Sequence, residues 1–294
     1  MKILILASGG DAPGMNACIH ELTKNLTMFD KHEVYGCLYG FQGLIENKFK
    51  RITTKDTACY KDQAGVFIKS SRCLEFKTEK GVSKAVQNLN AHHFDCVVVL
   101  GGDGSYRACS ELMKKGVNVI FIPSTIDRDL HYDTYTIGFY TAVSACCQYI
   151  HDVKPTMDAF DRVCVYEIMG RDNSSLTKLV GEIVEADLII TKDNIENIDY
   201  ESFALLHKEN PVRTVVLQEK LVPIEHIVQK LEQVTGGGVR QCVIGYIQRG
   251  TAPTKEELKK AKMFGKKAYE AIKNKKFCLA ISIDELGSKL IKIS

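Results

Sequence analysis

The sequence has no C-x-x-C pair, no marked excess of either charge, no apolar run long enough to cross a bilayer, and no low-complexity or short-period repeat. Each absence removes a class of function. Eleven cysteines are scattered from Cys18 to Cys278, which is neither the spacing of a zinc site nor the even-numbered framework of an oxidised secreted domain. Reduced, mostly buried thiols in a cytoplasmic protein are expected. Lys and Arg total 39 against 36 Asp and Glu, a formal charge of +3, too slight to mark a nucleic-acid or membrane surface. Any affinity for phosphate must therefore come from local clusters. The opening run Ile3-Leu4-Ile5-Leu6 leads at once into Ser8-Gly9-Gly10 and reads as a buried strand rather than a signal or anchor.

What is present is the composition of a globular α/β protein, 45% hydrophobic and 26% charged over 294 residues, enough for one large unit or two smaller ones. Short apolar runs alternate with glycine-rich turns and helix-length amphipathic stretches, as in a parallel sheet covered by helices. Strands are expected at 2–7, 96–100, 117–122, 163–168, 214–217, 241–247 and 277–283. Helices are expected at 15–27, 106–115, 141–152 and 224–233, the last stopped by Gly236-Gly237-Gly238. The lysine-rich stretch 254–275 carries Leu258, Ala261, Met263, Phe264, Ala268, Tyr269 and Ile272 at helical spacing, which predicts a helix with a solvated basic face.

Polar loops follow the expected strand ends, the edge at which open α/β sheets bind ligands. Gly101-Gly102-Asp103-Gly104-Ser105 suits a phosphate cradle at a helix start, with Asp103 competent for magnesium, but alone it is equally a connecting turn. The loop SGGDAPGMN from Ser8 to Asn16 is a second such cradle, in which Gly9 and Gly10 can offer amides to a phosphoryl group. Neither fits G-x-x-x-x-G-K-[ST] or G-x-G-x-x-G, against a Walker-type nucleotidase or a dinucleotide dehydrogenase. In PSTIDRDL an extended backbone would point Asp127 and Asp129 the same way, although aspartates also serve ordinary turns. Arg162, Arg171, Arg240 and Arg249 flank apolar runs and form a candidate phosphate clamp, since the planar guanidinium gives two directed hydrogen bonds with its charge.

The blocks SGGDAPGMN, GGDGS, TIDRDLHYDTYTIGFYTA, EIMGRD and IQRG stand in the order and spacing of ATP-dependent 6-phosphofructokinases, over nearly the whole chain. The resemblance implies two doubly wound, Rossmann-like α/β domains with mostly parallel sheets and the active site in the cleft between them. Residues 1–138 plus 251–294 would bind ATP and 139–250 fructose 6-phosphate. By the same resemblance Asp127 is the base for the sugar 1-hydroxyl. Arg171 and the Gly10 amide neutralise the phosphoryl group, with Thr125 nearby and Asp103 and Asp129 around the Mg2+-bound phosphates. Gly10, Phe41, Arg72, Cys73, Gly102, Asp103, Gly104 and Ser105 would hold the nucleotide. Thr125, Ile126, Asp127, Met169, Gly170, Arg171 and Glu219 would contact the sugar. Arg162, Arg240, Tyr246 and Arg249 would surround its 6-phosphate, with Arg162 and Arg240 lent by a neighbouring subunit of a homotetramer, and Ile247 and Gln248 would also contact the sugar substrate. Gly104 and Ser124 stand where pyrophosphate-dependent relatives tend to carry Asp and Lys, which favours ATP as donor in glycolysis.

Several positions depart from the family pattern. Arg128 replaces Asn, adding a cation expected to depress the pKa of Asp127 unless it turns outward. Tyr246 replaces His, Phe41 replaces Tyr, and Ser174 and Thr251 replace Gly, which predicts strain where φ > 0 is needed. At the effector positions stand His20, Lys24, Thr54, Lys154, Lys208 and Asn210, a softened cationic set that makes allosteric control doubtful. The chain stops at Ser294 without the final helix many relatives carry. These departures motivate an alternative, a weakened paralogue that binds sugar phosphate or nucleotide as a regulatory subunit. The joint presence of Asp103, Asp127, Asp129, Arg171 and Glu219 argues against it.

Overall fold

The amino-terminal apolar run is strand β1 (Lys2–Ala7), buried from Ile3 to Ala7. A strand covered on both faces reads as a continuous apolar run rather than an alternating one, and β4 (Cys96–Gly101) and β5 (Val119–Pro123) have the same character. With β2 (Glu33–Cys37), β3 (Phe49–Arg51), β10 (Leu279–Asp284) and β11 (Gly287–Lys292) they make a seven-stranded sheet in the order β11-β10-β5-β4-β1-β2-β3. The five inner strands are parallel, and β3 and β11 close the two edges antiparallel. The computed structural model describes residues 1–132, 134–285 and 287–293. It divides them into two units, Met1–Phe139 with Ala252–Ser294, and Tyr140–Thr251.

The first unit carries helices α1 (Met15–Met28), α2 (Gly40–Ile45), α3 (Thr54–Ala58), α4 (Glu79–Ala91), α5 (Asp103–Lys114) and α11 (Lys255–Lys273). In α11 Ala261, Phe264, Ala268, Tyr269 and Ile272 are buried, so the lysines occupy the outer face as their spacing predicts. Gly265 brings α11 onto α1, because a side-chain carbon there would stand 2.7 Å from the Cys18 carbonyl oxygen. Helix α5 begins earlier than the expected 106–115. Ser105 N and Tyr106 N both donate to Gly102 O at 3.0 Å, so GGDGS is itself the helix start.

The second unit is built on four parallel strands, β6 (Val163–Ile168), β7 (Leu188–Ile190), β8 (Arg213–Gln218) and β9 (Val239–Val243), in the order β7-β8-β6-β9. Its helices are α6 (Phe139–Asp158), α7 (Ser175–Ile183), α8 (Tyr200–Glu209), α9 (Ile224–Thr235) and the single turn α10 (Ile247–Gly250). Val163, Val165, Val215, Leu217, Ile227 and Leu231 form its core. Two expectations are corrected here. The helix expected at 141–152 runs on through Pro155, which costs the one bond its N–H would give to the His151 carbonyl, and ends three residues later at Asp158. The strand expected at 241–247 stops at Val243, because Gly245 at φ +62° turns the chain and the following residues coil. Among the described residues no helix is long and apolar enough to cross a membrane.

Candidate active site

In the first unit the loops after β1, β4 and β5 are tied together by their backbones. Ser8 N donates to Leu100 O at 2.9 Å, Ser124 N to Gly101 O at 2.8 Å, and Ser105 Oγ to Ser8 O at 3.1 Å. Strand β1 has β4 on one side and β2 on the other, so the connections leaving β1 and β4 diverge and open a crevice at the sheet edge. The amides that begin α5 point into that edge, where the helix dipole favours anions. A side-chain carbon on Gly102 would lie 3.2 Å from Thr125 Cβ and 3.4 Å from Asp129 Oδ1, which puts GGDGS directly against the aspartate loop. At Gly104 nothing lies within 4 Å of that position.

The aspartate loop is a turn and not the extended segment expected from spacing alone. Arg128 takes φ +50°, and Thr125 Oγ1 accepts from Asp127 N at 3.1 Å, which fixes the backbone of Asp127. The Arg128 guanidinium lies 5.5 Å from the centre of the Phe139 ring, a cation–π contact that engages the charge the sequence placed beside Asp127. The Asp129 carboxyl is pushed above the usual range, first by burial and then by the charges of Asp127 and Asp103. Its Oδ1 is buried without a hydrogen-bond partner. Asp103 is paired with Arg107 at 2.7 Å.

Among the described residues no group of three or more His, Cys, Asp or Glu could hold a metal unaided. Magnesium, however, is ordinarily bound by one or two carboxylates together with substrate phosphates and waters. A buried carboxylate oxygen with no partner at Asp129, close to the charge of Asp103, fits that donor set.

The positions expected to hold a nucleotide are distributed unevenly. Gly10 is exposed on the β1 loop, whose Gly9 O accepts from Ser70 Oγ at 2.7 Å. Arg72 is exposed, and Cys73 is half-buried against the core with its thiol pKa raised by that burial. Phe41 is only 3% exposed and packs on Phe76 with ring centres 4.2 Å apart, so its ring belongs to the core and offers a ligand no open face.

In the second unit the loops after β6, β8 and β9 meet at one edge. Glu219 N donates to Ile168 O at 2.8 Å, and Met169 N donates to Gln248 Oε1 at 3.0 Å. Gly170 has φ +130°, and a side-chain carbon there would stand 2.8 Å from Asn173 O, so only glycine fits. Burial first, and the Glu219 charge second, raise the pKa of Glu167. Arg171 and Tyr246 project into solvent, Ile247 is exposed and Arg249 half-buried, whereas Gln248 is fully buried. Ser174 and Thr251 have φ −82° and −68°, so the strain expected at these two replacements of glycine is absent. Ser174 Oγ instead donates to Asp193 Oδ2 at 2.9 Å.

Arg162 and Arg240 are not brought to this edge. Arg162 immediately precedes β6, and Arg240 is paired in register with Cys164. Both therefore stand at the start of β6, whereas Met169 to Arg171 follow its end, a strand length of about 20 Å away. Of the positions matched to the family's effector site by resemblance, His20 Nδ1 meets Thr57 Oγ1 at 2.8 Å, Thr54 Oγ1 meets Thr27 Oγ1 at 3.0 Å, and Lys154 Nζ meets Asp158 Oδ1 at 2.8 Å. Sequence reasoning missed Gln218, fully buried beneath the Gly170 loop; its only signal was a polar residue ending the apolar strand RTVVLQ.

The Phosphofructokinase family pattern matches residues 2–272. The ATP-dependent 6-phosphofructokinase 1 of Clostridium perfringens is 34% identical over 287 residues, covering 97% of this chain and 90% of its own. The ATP-dependent 6-phosphofructokinase of Clostridioides difficile is 35% identical over 286 residues, covering 96% of this chain and 89% of its own. Among solved structures, the phosphofructokinase of Pichia pastoris in the T-state superposes with a TM-score of 0.90 at 26% identity. It covers 99% of this chain, which spans only 35% of the Pichia chain. Five motif blocks in register, two parallel-dominated sheets with polar loops at their carboxyl edges, and a family match over residues 2–272 lead to one assignment: the chain belongs to the phosphofructokinase family.

Proposed function

We propose that this protein is an ATP-dependent 6-phosphofructokinase, which transfers the γ-phosphoryl group of ATP to the 1-hydroxyl of fructose 6-phosphate. The observation that carries the reading is the convergence of the Ser8, Gly101 and Ser124 loops, with Asp103, Asp127 and Asp129 on the last two. Phosphoryl transfer requires positioning and charge neutralisation more than covalent chemistry, and such an edge supplies both. In this reading the first unit binds the nucleotide and the second the sugar phosphate.

Asp127 takes the proton of the 1-hydroxyl as that oxygen attacks the γ-phosphorus. The hydrogen bond from Asp127 N to Thr125 Oγ1 holds its backbone for that role. The Gly10 amide and the Arg171 guanidinium receive the charge that develops on the phosphoryl oxygens. Asp103 and Asp129 would hold Mg2+, which when bound supplies positive charge to the nucleotide phosphates. Met169, Gly170 and Glu219 contact the sugar, and Tyr246 and Arg249 its 6-phosphate. Arg162 and Arg240, at the far end of β6, serve a neighbouring subunit in a cytoplasmic homotetramer. The open space at Gly104 favours a nucleotide over pyrophosphate.

A coupled assay of the purified protein with fructose 6-phosphate and magnesium, run first with ATP and then with pyrophosphate, tests the reading. Turnover with ATP alone is expected. Absence of turnover with both donors refutes it.

A further inference from the structure

Two side chains hold the backbone that presents Arg171, whose role in transfer rests on the reading above. Gln248 and Gln218 are each fully buried. Gln248 Oε1 accepts from Met169 N at 3.0 Å and from Cys146 Sγ at 3.3 Å, while its Nε2 donates to Gly245 O at 2.9 Å. Gln218 Nε2 donates to Gly170 O at 2.5 Å and to Arg171 O at 3.4 Å, while its Oε1 accepts from Lys192 N at 3.1 Å. The order β7-β8-β6-β9 sets one amide on each side of the β6 end, Gln218 from β8 and Gln248 from the turn after β9.

A primary amide is unfavourable in a core unless its donors and acceptors are matched, and an aliphatic side chain would fill the same space without that requirement. Both amides are matched, and each makes contact with the same three-residue backbone, Gln248 at Met169 N and Gln218 at Gly170 O and Arg171 O. The Arg171 side chain is 60% exposed, with Nε 3.9 Å from Asp172 Oδ2 of the same loop, so the loop backbone sets where the guanidinium starts from. We propose that Gln218 and Gln248 are positioning residues that fix Met169, Gly170 and Arg171 and so hold the backbone that carries the Arg171 guanidinium for its part in transfer. This removes Gln248 from the sugar contacts and adds Gln218 to the machinery, one step behind the reacting atoms.

The test compares Gln218→Glu, Gln218→Met and Gln248→Met in the full chain. Gln218→Glu keeps an acceptor for Lys192 N but sets an oxygen against Gly170 O. Burial raises the pKa of an introduced carboxyl, and its protonated form can again donate to that carbonyl. At pH 8 all three variants should lose roughly 10²-fold in kcat, the usual consequence of an ångström-scale misplacement. The KM for ATP should stay within about twofold, because binding common to ground and transition states is untouched. On lowering the pH to 6, Gln218→Glu should recover about tenfold relative to wild type, the size of a restored hydrogen bond, and Gln218→Met should not. Hydrogen exchange, read without substrate, should quicken at the Met169 amide in Gln248→Met and leave the core of the unit unchanged.

Wild-type kcat in the variants, identical pH profiles for Gln218→Glu and Gln218→Met, or exchange that rises uniformly through the unit would each overturn the proposal. An inactive wild-type protein whose variants still show the local exchange change sinks the kinase reading and upholds the bracing.

Discussion

Gly104→Asp is the most informative single change, because it separates the stability of the phosphate cradle from its affinity. Gly104 is exposed in the first turn of α5, and nothing lies within 4 Å of where its side chain would begin. Aspartate therefore enters without a clash. It should stabilise the free protein by roughly 0.3–1 kcal/mol, since a carboxylate beside a helix start complements the macrodipole and glycine is a poor helix former. In the proposed kinase the same carboxylate would face the nucleotide phosphates. At about 5 Å, with an effective dielectric between protein surface and water, one added charge opposes a phosphate charge by roughly 1–3 kcal/mol. That corresponds to about a 5- to 150-fold rise in the KM for ATP, with kcat at saturation little changed because ground and transition states are penalised alike. Steady-state kinetics with varied ATP, beside a thermal melt of the free protein, read both quantities. An unchanged KM in a fully folded variant would refute the placement of the nucleotide phosphates at Gly102 to Ser105.

Two further changes test the aspartates separately. Asp127→Asn should lower kcat by roughly 10²–10⁴, the worth of a general base, while ATP binding measured by calorimetry survives. Asp129 has a carboxyl pKa raised in the fold, so its contribution to stability is full below the unfolded pKa and is lost as the pH rises through the folded one. Asp129→Asn should therefore raise the melting temperature of the ligand-free protein at pH 7, with the gain fading as the pH is lowered toward the carboxylate range. The same variant should need more added magnesium for half-maximal activity, because one of two carboxylate ligands has lost its charge; a melt that falls at pH 7 would show that the buried carboxylate is not the strained group.

The central strands of both sheets were legible in the sequence because buried parallel strands announce themselves as apolar runs, whereas β2, β3, β7 and β11, shorter or more exposed, were not foreseen. The expected limits of β1 and β6 are those observed, and only the ends of the other shared strands move. What the sequence hid was local geometry with a tertiary cause. The strand that carries Arg240 begins at Val239 and stops before Gly245, although the apolar pattern continues through Ile247. The two aspartates looked extended, but Thr125 Oγ1 closes a turn that period-two reasoning does not contain. Ser174 and Thr251 looked strained only because relatives carry glycine there; their φ values are negative and Ser174 gains an aspartate partner. Gln218 and Gln248 could not be assigned from spacing, since a buried amide declares its purpose only through the backbone atoms it touches.

The placement of Arg162 and Arg240 leads to the prediction that bears on assembly. Within one unit these arginines stand at the start of β6, and Met169 to Arg171 follow its end, about 20 Å along the strand. A single sugar phosphate held by the Met169 loop does not reach that far, so a clamp using both ends needs a second copy of the chain. If Arg240 completes its neighbour's site, Asp127→Asn and Arg240→Ala damage different subunits of the same site. Mixed oligomers then contain sites with an intact Asp127 from one chain and an intact Arg240 from the other. With equal amounts and random pairing across a two-fold interface, about a quarter of wild-type activity should return. Each variant is to be assayed alone at low fructose 6-phosphate and then after unfolding and refolding the two together. If Arg240 acts within its own chain, every site in the mixture keeps a lesion and activity stays at the sum of the two variants. Recovery would place the arginine across the interface; its absence would refute a role for Arg240 in the neighbouring subunit's site.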